Sequence, residues 1–518
     1  MNKKRSLKLF KYGTVATVST AVVLAVAIVL NIGLSVLDAV FDLSYDFSAV
    51  QSTEIDKISK DIISGLKMDV EIIVNGSEEE YKKAAYETVT TTAEDGTQQT
   101  VLSSKRYTYE IIDSYRKNSE KVNVYYIDSR YNPGFFKERN ITLEEDTFIT
   151  VYAPGTGRYF LIDSEAFEDY QYVGLERRIA AGMANVTRED LKKIAIITGH
   201  NEKNFPYLSE MLINNTFEVT SLDLTSVETI PEDISLLVIA NPAVSYSAGD
   251  ILKLRQFLTG SDELGKSLVV FADTDMPENP LLEEFLSTEW GLELGYDAVF
   301  DPANSSTVLN LTDPAIKVDY ARNEVAKAVA GELYDIKNYQ YLTLGKTRNV
   351  IRKFNSKDNI NTALLLSTFD SGSFGRDYRT NIIESDNFKN ITKQTGDTVG
   401  PLNVGGISFV QKSDDNDTAY TLHNSNVVLF GFTSILETYY LKNMSGSTQS
   451  SAEYIINLFR YLLNDMSTIK ILGDELVTGT LSFDSDALVY TVVGISVLAV
   501  PIICTVSCIV LWRKRKYL

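Results

Sequence analysis

Cysteine is almost absent. The 518 residues hold two, Cys504 and Cys508, four apart in an uncharged run near the carboxyl end. The rest of the chain therefore has no disulfide, no thiol nucleophile and no thiolate metal site. Histidine is as scarce, with His200 and His423 alone. The zincin HExxH pattern, the Walker phosphate loop and the GxSxG elbow are all missing. Bases are outnumbered too, 49 Lys and Arg against 69 Asp and Glu, a formal charge of −20. Nine of those bases sit in acid-free tails: Lys3, Lys4, Arg5, Lys8 and Lys11 at one end, Arg513, Lys514, Arg515 and Lys516 at the other. The middle keeps the other 40 against all 69 acids, or −29. Such a body repels phosphate backbones, which argues against nucleic acid as its partner. No internal repeat is visible, and 44% hydrophobic with 23% charged residues is an ordinary globular composition.

What is present, first, is a pair of long apolar runs. Tyr12 to Leu37 and Ala487 to Trp512 each hold 26 residues without a charge, and about 20 suffice to cross a hydrocarbon core. Both are expected as transmembrane helices, since lipid leaves no partner for bare backbone groups. The basic tails flank them on their outer sides, so the positive-inside rule places both termini in the cytoplasm and residues of about 38–486 outside. A cleaved signal peptide is the rival reading of the first run. Its apolar stretch, however, is longer than such segments need and continues past Ala25-Val26-Ala27. The basic tails also offer contact with anionic membrane lipid.

Between the runs, two patterns follow one another. Residues 54–66 place Ile55, Ile58, Ile62 and Leu66 at helical spacing, and Asp69–Val74 reads as an alternating strand. Thr88–Thr100 reads as a loop or insertion. Tyr107–Lys117 is a predicted helix, Val122–Ile127 a strand, Asn132-Pro133-Gly134 a turn, and Thr147–Val151 with Tyr159–Ile162 a hairpin around Pro154-Gly155. With a helix near Leu175–Met183, this order resembles a thioredoxin-like module without its CxxC. After Asp190 the strands become continuous apolar runs, Leu191–Thr198, Ile234–Ala240 and Ser267–Ala272, with helices over Tyr207–Ile213 and Ala248–Leu258. Buried parallel strands read this way, and the alternation predicts a doubly wound α/β domain. Asn426–Phe430 and a helix over Ala452–Leu463 are expected to complete it. Pattern alone gives no topology for 297–420, beyond strands such as Thr362–Leu366.

Ligands of open α/β sheets bind beyond the carboxyl ends of the strands. Those ends gather His200, Asn201, Glu202, Asn241, Asp273 and Asp275. Imidazole and carboxylates together can bind a metal or run acid–base hydrolysis. The same residues also serve as structural turns and helix caps, or as a non-catalytic surface for a ligand or partner. No motif singles out a catalytic residue, a metal site or a cofactor. His423 reads as a surface residue, and Gly155-Thr156-Gly157 as a hairpin turn.

The ordered segments resemble the gliding-motility auxiliary (GldG-like) components of ABC transporters, also described as uncharacterised ABC-type transport system auxiliary proteins. The resemblance rests on Asp42-Leu43-Ser44 with Ile55–Leu66 and Val70–Val74, on Val124–Pro133, and on the strand leading to Gly199-His200-Asn201-Glu202, where the family typically reads Gly-His-Gly-Glu. It continues through Ile230–Asp233, Leu236–Pro242, Leu268–Asp273, Val427–Phe432 and Asn457–Leu463. It implies a thioredoxin-like module at 38–186, then a flavodoxin-like or class I glutamine-amidotransferase-like α/β domain at 187–465. A connector at 466–486 follows, with spans at 12–37 and 487–512 and cytoplasmic tails at 1–11 and 513–518. Amidotransferase activity does not carry over, because its nucleophilic Cys is missing. The expected role is non-enzymatic: an accessory subunit beside a separate permease and ATP-binding subunit, its substrate unnamed. A surface-anchored hydrolase built on His200, Glu202, Asp273 and Asp275, or a carbohydrate-binding or adhesion protein, is the alternative.

Overall fold

A computed structural model describes residues 55–84, 104–163, 173–260, 264–306, 315–334, 341–369, 372–379, 391–413, 422–442 and 449–465. All of them fall within one compact unit, Glu54–Glu475. No helix among them is long and apolar enough to cross a membrane. The two apolar runs, both tails, the connector and the Thr88–Thr100 stretch lie outside the described residues.

The first elements are α1 (Lys57–Ser64), β1 (Val70–Val74), α2 (Glu78–Lys83), α3 (Ser104–Asn118) and β2 (Val122–Tyr126). They are followed by α4 (Pro133–Glu138), β3 (Thr147–Ala153), β4 (Arg158–Asp163) and α5 (Val173–Thr187). The strands form a sheet of order β2-β1-β3-β4. Its β1–β2 pair is parallel and its other pairs antiparallel. The alternation expected in β1 is not observed, because every residue of the strand is buried. Ile72 and Val74 join the core shared with Ile111, Tyr115 and Ile179, while Ile73 meets Phe136 and Ile141 on the opposite face. The turn expected at Asn132-Pro133-Gly134 is instead the start of α4, with Pro133 in its first turn. That position suits proline, since the missing N–H would have no helical partner there.

The second block runs β5 (Lys192–Thr198), α6 (Pro206–Asn214), β6 (Phe217–Asp223), β7 (Ile234–Ala240), α7 (Ala248–Thr259), β8 (Ser267–Phe271) and α8 (Pro280–Glu284). Next come β9 (Leu292–Phe300), β10 (Ser305–Ser306), β11 (Ala315–Tyr320), α9 (Glu324–Ala330), β12 (Leu342–Leu344), β13 (Arg348–Arg352) and β14 (Ser356–Lys357). The chain closes with β15 (Ile360–Ser367), β16 (Phe374–Asp377), β17 (Thr398–Val399), β18 (Asn403–Ser413), β19 (Leu422–Phe430), α10 (Thr438–Lys442) and α11 (Gln449–Leu462).

Eleven of these strands make one sheet, β10-β11-β15-β18-β19-β8-β7-β5-β6, with β12 on β11 and β14 on β15. The block β6-β5-β7-β8-β19 is parallel. In order of appearance its strands stand 2-1-3-4-5, one of the two common doubly wound orders. From β19 outward the sheet turns antiparallel through β18, β15 and β11. A second antiparallel sheet, β13-β9-β16-β17, accounts for more of the region that the sequence left unassigned. The continuous apolar run of β7 has a direct cause: Leu236, Val238 and Ala240 pack into one core with α6 and α11, Leu237 and Ile239 into another with α7. Each fully buried Ile or Leu contributes on the order of 2 kcal/mol. His423 lies within β19, its backbone in register with Lys412, and not ahead of the strand.

Candidate functional site

The order of the parallel block reverses between β5 and β7, and the crevice beyond their carboxyl ends is where such sheets bind ligands. Here the chain itself fills it. After β5, Gly199 adopts a φ of 111°. A Cβ there would lie 2.5 Å from Asp223 Oδ1, so only glycine fits. Asn201 (φ 52°) and Asn241 (φ 49°) take the left-handed conformation that Asn tolerates better than most residues. The two loops are stitched together. The His200 carbonyl accepts the N–H groups of Ala243 (3.0 Å) and Val244 (2.9 Å), and the Lys203 N–H donates to the Ala240 carbonyl at 2.8 Å.

His200 is 3% exposed. Its ring stacks on Tyr246, centroids 4.0 Å apart and planes 14° apart. Nε2 lies 3.2 Å from Asp250 Oδ2, a contact that fits the Nε2–H tautomer. Nδ1 stands 3.5 Å from Glu202 Oε1 and makes no hydrogen bond. Glu202 accepts instead from the His200 backbone N–H (2.8 Å) and from the Tyr246 hydroxyl (2.9 Å). Burial, then the neighbouring Glu202 carboxylate, pushes the Tyr246 phenol well above its ordinary range. Asp250 belongs to the capping box of α7. It accepts the Ser247 N–H at 3.0 Å, and its own N–H donates to Ser247 Oγ. Burial raises the Asp250 carboxyl, but the Ser247 hydroxyl and N–H, Lys253 and His200 outweigh it and hold the group below the usual carboxylate range.

The remaining candidates form a second group. Asn241 Oδ1 accepts the Asp273 N–H at 3.1 Å. Asp273 accepts the Asp275 N–H through Oδ1 (2.8 Å) and the Thr433 hydroxyl through Oδ2 (2.6 Å). Asp275 pairs with Lys346 at 2.9 Å on the surface. Among the described residues no hydrogen bond or ion pair links Asp273 or Asp275 to His200 or Glu202. The four residues that a hydrolase would converge are thus divided. No described group of three or more His, Cys, Asp or Glu could hold a metal ion. His200 Nδ1 apart, the polar groups just described are engaged by neighbours, which makes the arrangement a set of loop fasteners.

Sequence reasoning missed Tyr246, Asp250, Thr433 and Lys346. Only Asp250 carried a signal, three residues after Ser247 at the start of an apolar helix.

A doubly wound domain with its crevice closed from within is the class that this geometry defines. Residues 191–320, which span β5 to β11, match the model of a family described as ABC-type uncharacterized transport system. That segment carries the signature of the auxiliary family of ABC-type transport systems. No curated protein matches the chain. Among solved structures, an "mmIFT52 N-terminal domain" is similar at 14% identity and a TM-score of 0.33, over 52% of this chain and 97% of that one. "Exo-beta-1,4-mannosidase Op5Man5 from Opitutaceae bacterium strain TAV5" is similar at 10% identity and a TM-score of 0.25, over 69% and 48%. Likenesses this slight carry no argument.

Proposed function

We propose that this chain is a membrane-anchored accessory subunit of an ABC transporter, working with a separate permease and ATP-binding subunit. The family match over 191–320 is the observation that carries the reading. The uncharged runs 12–37 and 487–512 and their basic flanks support two anchors, both termini cytoplasmic and residues of about 38–486 outside. The reading includes a thioredoxin-like first module, supported by the order β2-β1-β3-β4 with its parallel β1–β2 pair. It also includes a flavodoxin-like second one, supported by the 2-1-3-4-5 block, and kinship with the gliding-motility auxiliaries in particular. A scaffolding role rather than catalysis suits a crevice in which His200, Glu202 and Asp273 are enclosed. A mild-detergent pull-down of the tagged full chain from its native membrane, with mass spectrometry, tests this. Stoichiometric recovery of an ATPase and a polytopic permease is expected; a protein that emerges alone, with crosslinking in agreement, overturns it.

A further inference from the structure

We infer that the shallow pocket beside α4 is a binding site for an acidic saccharide. The pocket has a volume of about 530 Å³, inside the range of roughly 300–1,000 Å³ typical of small-ligand sites. Its apolar floor comes from Pro133, Phe136, Ile141 and Leu143. A sugar ring offers a matching apolar face of C–H groups.

The rim is polar, from Ser129, Lys137, Asn140 and Thr142. Among the described residues no hydrogen bond within the protein engages the side chains of Lys137, Asn140 or Thr142, and all three residues are exposed. An amide, a hydroxyl and an ammonium are thus free to meet sugar hydroxyls and an anionic substituent.

Charge decides the class of sugar. The chain carries −20 overall, yet no carboxylate lines this pocket and its one charged lining residue is Lys137. The nearby cation Arg139, which caps the carboxyl end of α4, is already committed to Glu71 at 2.7 Å. Lys137 is therefore the group that would select a carboxylate-bearing ring over a neutral one.

For its location the inference rests on the extracytoplasmic placement proposed above, which sets the pocket against surface glycans. The two fail separately, because sugar binding is measured on the purified full chain whether or not a transporter partner is recovered. The probes are cellotriose and the trisaccharide of its uronate form, titrated calorimetrically at low salt. The uronate is expected to bind about fivefold tighter than the neutral sugar, and raised salt should erase that margin. In Lys137→Gln the two should bind equally, and Thr142→Val, which removes a lining hydroxyl, should weaken both. Both substitutions are at exposed positions, so folding can be checked by unchanged circular dichroism. Equal binding of the two sugars to the native protein, binding indifferent to Lys137→Gln, or binding of neither overturns the inference.

Discussion

Arg188 and Asp465, 277 residues apart in the chain, are joined by two hydrogen bonds of 3.1 and 2.6 Å. The Asp465 side chain is 1% exposed and that of Arg188 23%. Arg188 also donates to Thr216 Oγ1 at 2.9 Å. One guanidinium thus fastens the segment after α5, the turn before β6 and the end of α11. Removing it leaves a buried carboxylate without its bidentate partner, and Arg188→Met is expected to cost about 3 kcal/mol. The double variant Arg188→Met/Asp465→Leu should recover part of that loss. Urea denaturation of the three proteins measures the coupling.

Glu176 makes stability depend on pH. Its carboxylate accepts the Asp56 N–H at 3.1 Å and the Ser59 hydroxyl at the start of α1. Burial, reinforced by Asp56, pushes it up from 4.5 to about 7. Between those values the native state holds a proton that the unfolded chain has released. This group's contribution is therefore fully present below pH 4.5 and lost as pH rises to 7, by on the order of 3 kcal/mol. Glu176→Gln should flatten that part of the profile, read as the urea midpoint at several pH values.

The loop after β5 separates two backbone roles. Gly199→Ala places a methyl group against Asp223 in a φ region that resists side chains, at an expected cost of about 2 kcal/mol or more. Asn201→Gly should change stability by less than about 1 kcal/mol, whereas Asn201→Val should lose more than that. Thermal unfolding of the three variants checks the ranking.

Stacking and hydrogen bonding of His200 can also be told apart. His200→Phe keeps a ring against Tyr246 but deprives Asp250 of a donor, an expected loss of about 1–2 kcal/mol. His200→Ala also opens a cavity and should cost about 3 kcal/mol. Equal losses in the two variants would show that the ring contact contributes little.

Much of the parallel block was legible because burial on both faces leaves an unmistakable run, as in Ile234–Ala240. The left-handed backbone at Asn201 was not read from the sequence, where Asn stands in place of the glycine usual in the resembled family. Strand β6 was not legible either: Phe217–Asp223 stands at the sheet edge, and its exposed Glu218, Ser221 and Asp223 break the apolar run. Nor was β18, where Gly405 and Gly406 read as breakers, though a Cβ at those positions would crowd Phe430 and Leu292. Of the site, the strand ends were visible, but their partners were not. Tyr246 and Thr433 reach Glu202 and Asp273 from 44 and 160 residues away, and no local spacing encodes such a meeting.

The large sheet also has a mechanical consequence. Nine strands from β6 to β10 are hydrogen-bonded in one unbroken path, about 38 Å at the usual inter-strand spacing. Across such a path the hydrogen-bond ladders act in series and their compliances add, whereas along each strand covalent bonds carry a load, so the sheet yields more from edge to edge than along its strands. The displacement produced by a load at β6 would be shared among the eight ladders that separate it from β10.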